Sequence, residues 1–181
     1  MDTISIWTKQ SSAIIHELET TGRYIAKREL ITKALGEEAP FFLPAYDWLR
    51  ESATKRLPPP ENAGYPIWVS TFSESTMLPD PNSIILQAEI AENLLLPIDI
   101  ITWTKILDCA YLPQNESDLK QHKQRLTDYN TSDIQAVTTP FFPEIKASIL
   151  KSWTLLFESI GDGRVGVIWE IQKPWVKKII R

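Results

Sequence analysis

The segment Ile4-Ser5-Ile6-Trp7-Thr8-Lys9-Gln10 alternates and is rich in β-formers, so it reads as a strand. Residues two apart on a strand share a face. Trp7-Thr8-Lys9-Gln10 presents polar groups beside an aromatic ring. Tyr65-Pro66-Ile67-Trp68-Val69-Ser70-Thr71 repeats the combination. Ring faces that stack, with a few polar groups that fix orientation, make a ligand pocket wall. Ordinary strands also favour Trp, Tyr and Thr, so either segment is equally at home in a plain sheet. Gln87 and Glu89 share a face of a strand over Ser83–Ile90, opposite Leu86 and Ala88. They read as a solvent-facing edge or as a carboxylate aimed into a cleft. Glu170 and Gln172 repeat that spacing on the last strand.

Helical phase sorts the tryptophans, of which there are seven. Trp153 belongs to the stripe Ile145, Ile149, Leu156, Phe157 and Ile160, and Trp103 shares a face with Ile106, Leu107 and Ala110; both read as core. Trp48 differs. In a helix from Ala45 to Leu57, the apolar face is Tyr46, Leu49, Ala53 and Leu57, and Trp48 falls nearly opposite with Glu51, Ser52 and Lys55. Such a ring must be covered by a loop such as Pro58–Gly64, by a ligand or partner, or else be exposed. Arg50 stands beside the apolar face near Tyr46, as a snorkelling stem or an anion-binding guanidinium.

The composition narrows the chemistry. A formal charge of −4 argues against a general electrostatic grip on nucleic acid. Cys109 is the single cysteine, so no disulfide forms within the chain, and it reads as a buried structural thiol. One thiol with just His16 and His122 makes no zinc site unless carboxylates help, and no metal is expected. His122, in Lys120-Gln121-His122-Lys123-Gln124-Arg125, reads as part of a solvated basic face. No His-Glu-x-x-His, phosphate-binding glycine loop or Gly-x-Ser-x-Gly elbow occurs. The start, Met1-Asp2-Thr3-Ile4, lacks the pattern of a signal peptide, and no apolar run reaches membrane-spanning length. A cytoplasmic location without membrane association is expected.

These groups need a scaffold. Residues 1–181 fit one domain. After the first strand, Ser11 or Ser12 can cap a helix carrying Ile14, Ile15 and Leu18 and stopped by Gly22. Tyr24-Ile25-Ala26 follows as a short strand. Pro58-Pro59-Pro60 ends the helix from Ala45. Strands are expected over Tyr65–Phe72 and Ser83–Ile90, and Asp99 or Thr102 caps a helix to Tyr111. The polar stretch Pro113–Ser132 is either a solvated helix over Asp118–Tyr129 or a mobile excursion. A helix over Pro143–Ile160 turns at Gly161-Asp162-Gly163 into a strand over Val165–Gln172. Strands and helices mix without βαβ alternation, which predicts an α+β domain with a mixed or antiparallel sheet and about four to five helices.

Together, Trp7-Thr8-x-Gln10, Ala45-Tyr46-Asp47-Trp48-Leu49 and Tyr65-Pro66-Ile67-Trp68 resemble a bacterial family catalogued as domain of unknown function 3841. Ile84–Ile90 leading into Leu95-Leu96 and Asp99, Trp103 with Leu107, Ser152-Trp153 with Phe157 and Ile171-Gln172 extend the resemblance over nearly the whole chain. Ile101, where a second acidic residue is expected, and Ser70, near an often aromatic position, depart from the pattern. That resemblance implies no activity. The opening strand, helix, Gly22 and second strand are also similar in architecture to ADP-ribosyltransferase-type domains. This implies NAD as cofactor, Thr8 and Gln10 on its polar groups, Trp7, Tyr65 or Trp68 stacked on its ring, and Glu89 as the catalytic carboxylate, in a toxin or defence component. The residues then expected at a ligand site are Trp7, Thr8, Gln10, Tyr46, Trp48, Arg50, Tyr65 and Trp68, with Glu89. The alternative is a non-catalytic module that captures a nucleotide, a single-stranded nucleic acid or a protein through exposed aromatics. A third places the function in Pro113–Ser132.

Overall fold

The structure, a computed structural model, describes residues 2–76, 78–158 and 163–181. It is an α+β domain built on an antiparallel six-stranded sheet. Strand β1 (Thr3–Ser11) pairs along its length with β4 (Ser83–Ala91), from Thr3 opposite Ala91 to Ser11 opposite Ser83. On its other side β1 meets β3 (Ile67–Ser70), with Trp7 opposite Ser70. β3 continues through β6 (Val165–Ile168) to β5 (Leu96–Pro97), and β4 carries the edge strand β8 (Val176–Ile180). A separate ribbon pairs β2 (Arg23–Tyr24) with β7 (Ile171–Gln172).

Each face of the sheet has its own apolar cluster. Helix α1 (Ile14–Thr21) ends where Gly22 takes a left-handed φ of 78°, and it packs Ile14 and Leu18 onto Ile6, Leu86 and Ile90. The second cluster gathers four helices: α3 (Ala39–Thr54), α4 (Ile100–Leu107), α6 (Asp133–Thr138) and α7 (Pro143–Ser152). Leu49, Ile106, Val137, Ile149 and Leu156 meet Val167 there, and Tyr46 packs against both clusters.

Several elements depart from the expected bounds. α3 begins before Ala45, with Pro40 in its first turn, where a missing N–H is harmless. Pro44 lies inside this helix and removes one i→i−4 bond. α7 stops at Ser152, and a 3₁₀ segment (Trp153–Phe157) follows. Ile160, Gly161 and Asp162 lie outside the described residues. The strand expected over Val165–Gln172 breaks at Trp169-Glu170, and its second half leaves the main sheet for the β2 ribbon. Cys109 is buried just beyond α4 rather than within it, with a φ of 57°. Burial pushes its thiol pKa up.

His122 corrects the expectation of a solvated basic face. Helix α5 (Glu116–Asp128) buries this one residue, at 5% exposure. Its ring stacks on Tyr111 with centroids 4.0 Å apart, and Nε2 lies 2.6 Å from Asp133. Asp133 also accepts the Tyr111 backbone N–H. The polar stretch Pro113–Ser132 is thus tied to the N-terminus of α6 rather than free. No helix of the described residues is long and apolar enough to cross a membrane.

Candidate functional site

The end of the sheet where β1 finishes and β3 begins opens into a cleft of about 270 Å³. Gln10 and Lys9 come from β1, Trp68 from β3, Tyr24 from β2 and Tyr46 from α3. The outer wall is α2 (Arg28–Leu35), which presents Leu30, Ile31 and Leu35. A close approach seals the floor. Tyr65 donates its backbone N–H to Ala26 O at 2.8 Å, and a Cβ on Gly64 would lie 2.2 Å from that same oxygen. Only glycine lets the two chains meet there.

A relay of hydrogen bonds fixes the cleft's polar group. The buried Thr8 hydroxyl donates to Trp68 O at 2.7 Å. Its one proton is spent there, so toward Gln10 it can only accept, and it takes the Gln10 Nε2 hydrogen at 2.8 Å. Gln10 therefore commits its amide nitrogen to Thr8 and keeps Oε1 as its acceptor. The aromatic wall is equally constrained. Trp103 is buried and meets Tyr46 edge-on at 5.4 Å and Trp68 at 5.1 Å between centroids, so one indole backs both rings. Asp99 positions that indole by capping α4, where it accepts from Ile101 N, Thr102 N and Thr102 Oγ1. Burial raises the Tyr46 pKa; burial, then the Glu17 charge, raises that of Tyr24. Both remain donors at neutral pH, and neither hydroxyl has a partner among the described residues.

Beside the cleft, Tyr65 sits in an ionic network. Its hydroxyl donates to Asp47, and Arg28 reaches both the hydroxyl and the carboxylate, with Nη2 2.9 Å from Asp47 Oδ2. Arg50 lies on the Tyr65 ring, 5.7 Å from its centroid, and donates Nε to Gly64 O at 2.7 Å. Burial and the Asp47 hydrogen bond push the Tyr65 pKa up to about 12. Burial alone would raise the Asp47 carboxyl, but hydrogen bonds from Arg28 and Tyr65 with the charges of Arg28 and Arg50 hold it below the usual carboxylate range.

The expected site residues divide. Gln10, Tyr46 and Trp68 line the cleft, and Thr8 stands behind Gln10. Tyr65 and Arg50 brace its floor through Gly64 and Ala26. Trp7 points to the opposite face of β1 from Thr8 and Gln10. Trp48 is covered, but not by the Pro58–Gly64 loop. It is 9% exposed, edge-on to Trp153 at 5.5 Å and stacked on Phe157 at 5.9 Å. The helix has a second layer on that side, which buries Trp48 and Ser52 while Glu51 and Lys55 stay exposed. Glu89 does not reach the cleft. It pairs with Ser5 in the register, whereas Gln10 pairs with Ile84; five residues at about 3.4 Å each put it about 17 Å away along β1, on the other face. There it is exposed and ion-paired with Lys177 at 3.1 Å. The sequence alone singles out neither Tyr24 nor the α2 residues for the site, although Leu30, Ile31 and Leu35 ahead of Gly36 carry a helical spacing. Among the described residues, no group of three or more His, Cys, Asp and Glu is placed to hold a metal ion.

Residues 5–177 match the family model described as Domain of unknown function (DUF3841). The chain belongs to that family. The match begins within β1 and runs past β7, and so includes the whole cleft. Comparison with curated proteins and with solved structures finds no match.

Proposed function

We propose that this chain is a binding module whose cleft takes one planar nitrogen heterocycle, the base of a nucleotide or the nicotinamide ring of NAD. The observation that carries the reading is the relay from Gln10 through Thr8 to Trp68 O, which presents a fixed acceptor beside aromatic walls. A ring N–H or exocyclic amine would meet Gln10 Oε1, and the Tyr24 and Tyr46 hydroxyls would meet ring acceptors. Leu30, Ile31 and the Tyr46 and Trp68 rings would cover the flat faces. A volume near 270 Å³ lies just below the roughly 300–1,000 Å³ usual for ligand pockets. It suits a single ring system, with sugar and phosphate left outside.

Capture without catalysis is favoured over ADP-ribosyl transfer by the position of Glu89. Glycosidic cleavage through an oxocarbenium-like state needs a carboxylate at the reacting ribose, and none lines this cleft among the described residues. One calorimetric series separates the readings. Adenosine, guanosine, cytidine, nicotinamide and NAD are titrated into the protein, with ribose as the ringless control, and free nicotinamide is assayed after incubation with NAD and a cell lysate. Saturable binding of at least one heterocycle, none of ribose and no nicotinamide release is the expected result. Nicotinamide release would restore the transferase reading, and failure of every heterocycle to bind would end the proposal.

A further inference from the structure

A second cleft of about 250 Å³ opens on the other side of the β2–β7 ribbon, between the triproline segment and the break in the last strand. Trp169, Trp175, Pro58, Pro59 and Leu94 line it, and the one charged lining residue is Glu170. The Glu170 side chain is 12% exposed. Among the described residues its contacts are two: Gln172 Nε2 donates to Oε1 at 2.6 Å, and Arg23 Nη1 approaches Oε2 at 3.4 Å. The second is long for a charge-assisted bond, which runs near 2.7–2.9 Å. Arg23 is also shared, since its other terminal nitrogen donates to Glu61 O at 3.0 Å. Trp169 directs its N–H to Leu57 O at 2.6 Å, so what it can offer the cleft is its ring rather than a donor.

We infer that this second cleft is a binding site for an organic cation, an alkylammonium or guanidinium group carried on an apolar stem. Indole faces are electron-rich, and together with a carboxylate they make a negative, largely dry wall. An anion would be repelled. An uncharged apolar ligand would strip water from Glu170 and give nothing back. A cation compensates the carboxylate and gains the ring faces, while Leu94 and the prolines receive its stem. Arg23 competes for the same oxygen, and with 38% of its side chain exposed it can yield that contact and keep its bond to Glu61.

The test uses choline chloride and its uncharged carbon isostere dimethylbutanol, titrated calorimetrically into the wild-type chain. Choline is expected to bind saturably and at least tenfold more tightly than the alcohol. Equal affinities, or no saturable choline binding, overturn the inference. Arg23→Gln should strengthen choline binding several-fold by removing the competitor, and a weakening would contradict the proposed geometry. Glu170→Gln should erase the preference for the cation. If that variant does not fold, Trp175→Leu serves in its place and should weaken choline more than dimethylbutanol; an equal effect on the two counts against the site.

Discussion

At the residue scale, Thr8 matters more than its size suggests, because one hydroxyl proton sets the direction of a chain of hydrogen bonds. Thr8→Val keeps the shape and removes that chain. Trp68 O then loses its donor and Gln10 is released, so urea denaturation should show a loss of about 1–3 kcal/mol, the cost of a stranded buried polar group. Heterocycle affinity should fall with it; wild-type stability and affinity in this variant would contradict the relay. Tyr65 gives a prediction in pH. An unfolded tyrosine titrates near 10, and in the fold this one is pushed up to about 12. Its neutral form is therefore stabilised by folding, a contribution present below pH of about 10 and lost as pH climbs toward about 12. Asp47 is held below its ordinary value, so its contribution is present above the usual carboxyl range and lost as pH falls through the native value. The melting-temperature gap between wild type and Tyr65→Phe should be flat from about pH 5 to 9 and close at both extremes. A gap that does not vary with pH would show the network to be idle.

At the element scale, α4 acts as the bracket of the cleft, since its Trp103 backs both Tyr46 and Trp68. Its start depends on one cap, Asp99. Asp99→Ala should cost about 0.5–2 kcal/mol, and ligand affinity should fall further than in an equally destabilising variant remote from the cleft. A fall no larger than in that control would mean that Trp103 is positioned by packing alone. The cap, the Gly22 stop and the strands over β1 and β4 are legible in the sequence, because each rests on local chemistry or on alternation within one segment. Helix α2 is harder to read. Leu30, Ile31 and Leu35 carry a helical spacing, but the helix has only eight residues and none of them is buried, so spacing alone does not place it as the outer wall of the cleft. α6 has six residues, too few for a helical period to stand out. β8 carries Lys177 and Lys178 on an exposed edge, where charge protects against edge pairing and masks strand character.

At the scale of the whole molecule, two layers on opposite faces of one sheet decide which aromatics are structural. Trp48 lies between α3 and the Trp153–Phe157 segment, so Trp48→Ala should cost about 3–5 kcal/mol while leaving heterocycle affinity per folded molecule unchanged. Loss of binding with stability intact would place Trp48 in a site instead. Helical phase alone gives Trp48 the wrong surroundings because it sees one helix and not the second layer across it. The same limit governs the site. That Thr8 and Gln10 share a face is written in their spacing, whereas their meeting with Tyr46, Tyr24 and Trp68 depends on strand register and helix placement. The separation of Glu89 from Gln10 likewise emerges only once β1 and β4 are paired. The direct test of the cleft is a heteronuclear NMR titration of the nitrogen-15-labelled protein with whichever heterocycle binds, following the side-chain resonances. The Gln10 amide and the Trp68 indole should shift together and saturate at one affinity, with Trp169 and Trp175 unmoved; shifts confined to the latter pair, or a Gln10 amide that does not respond, would contradict the account.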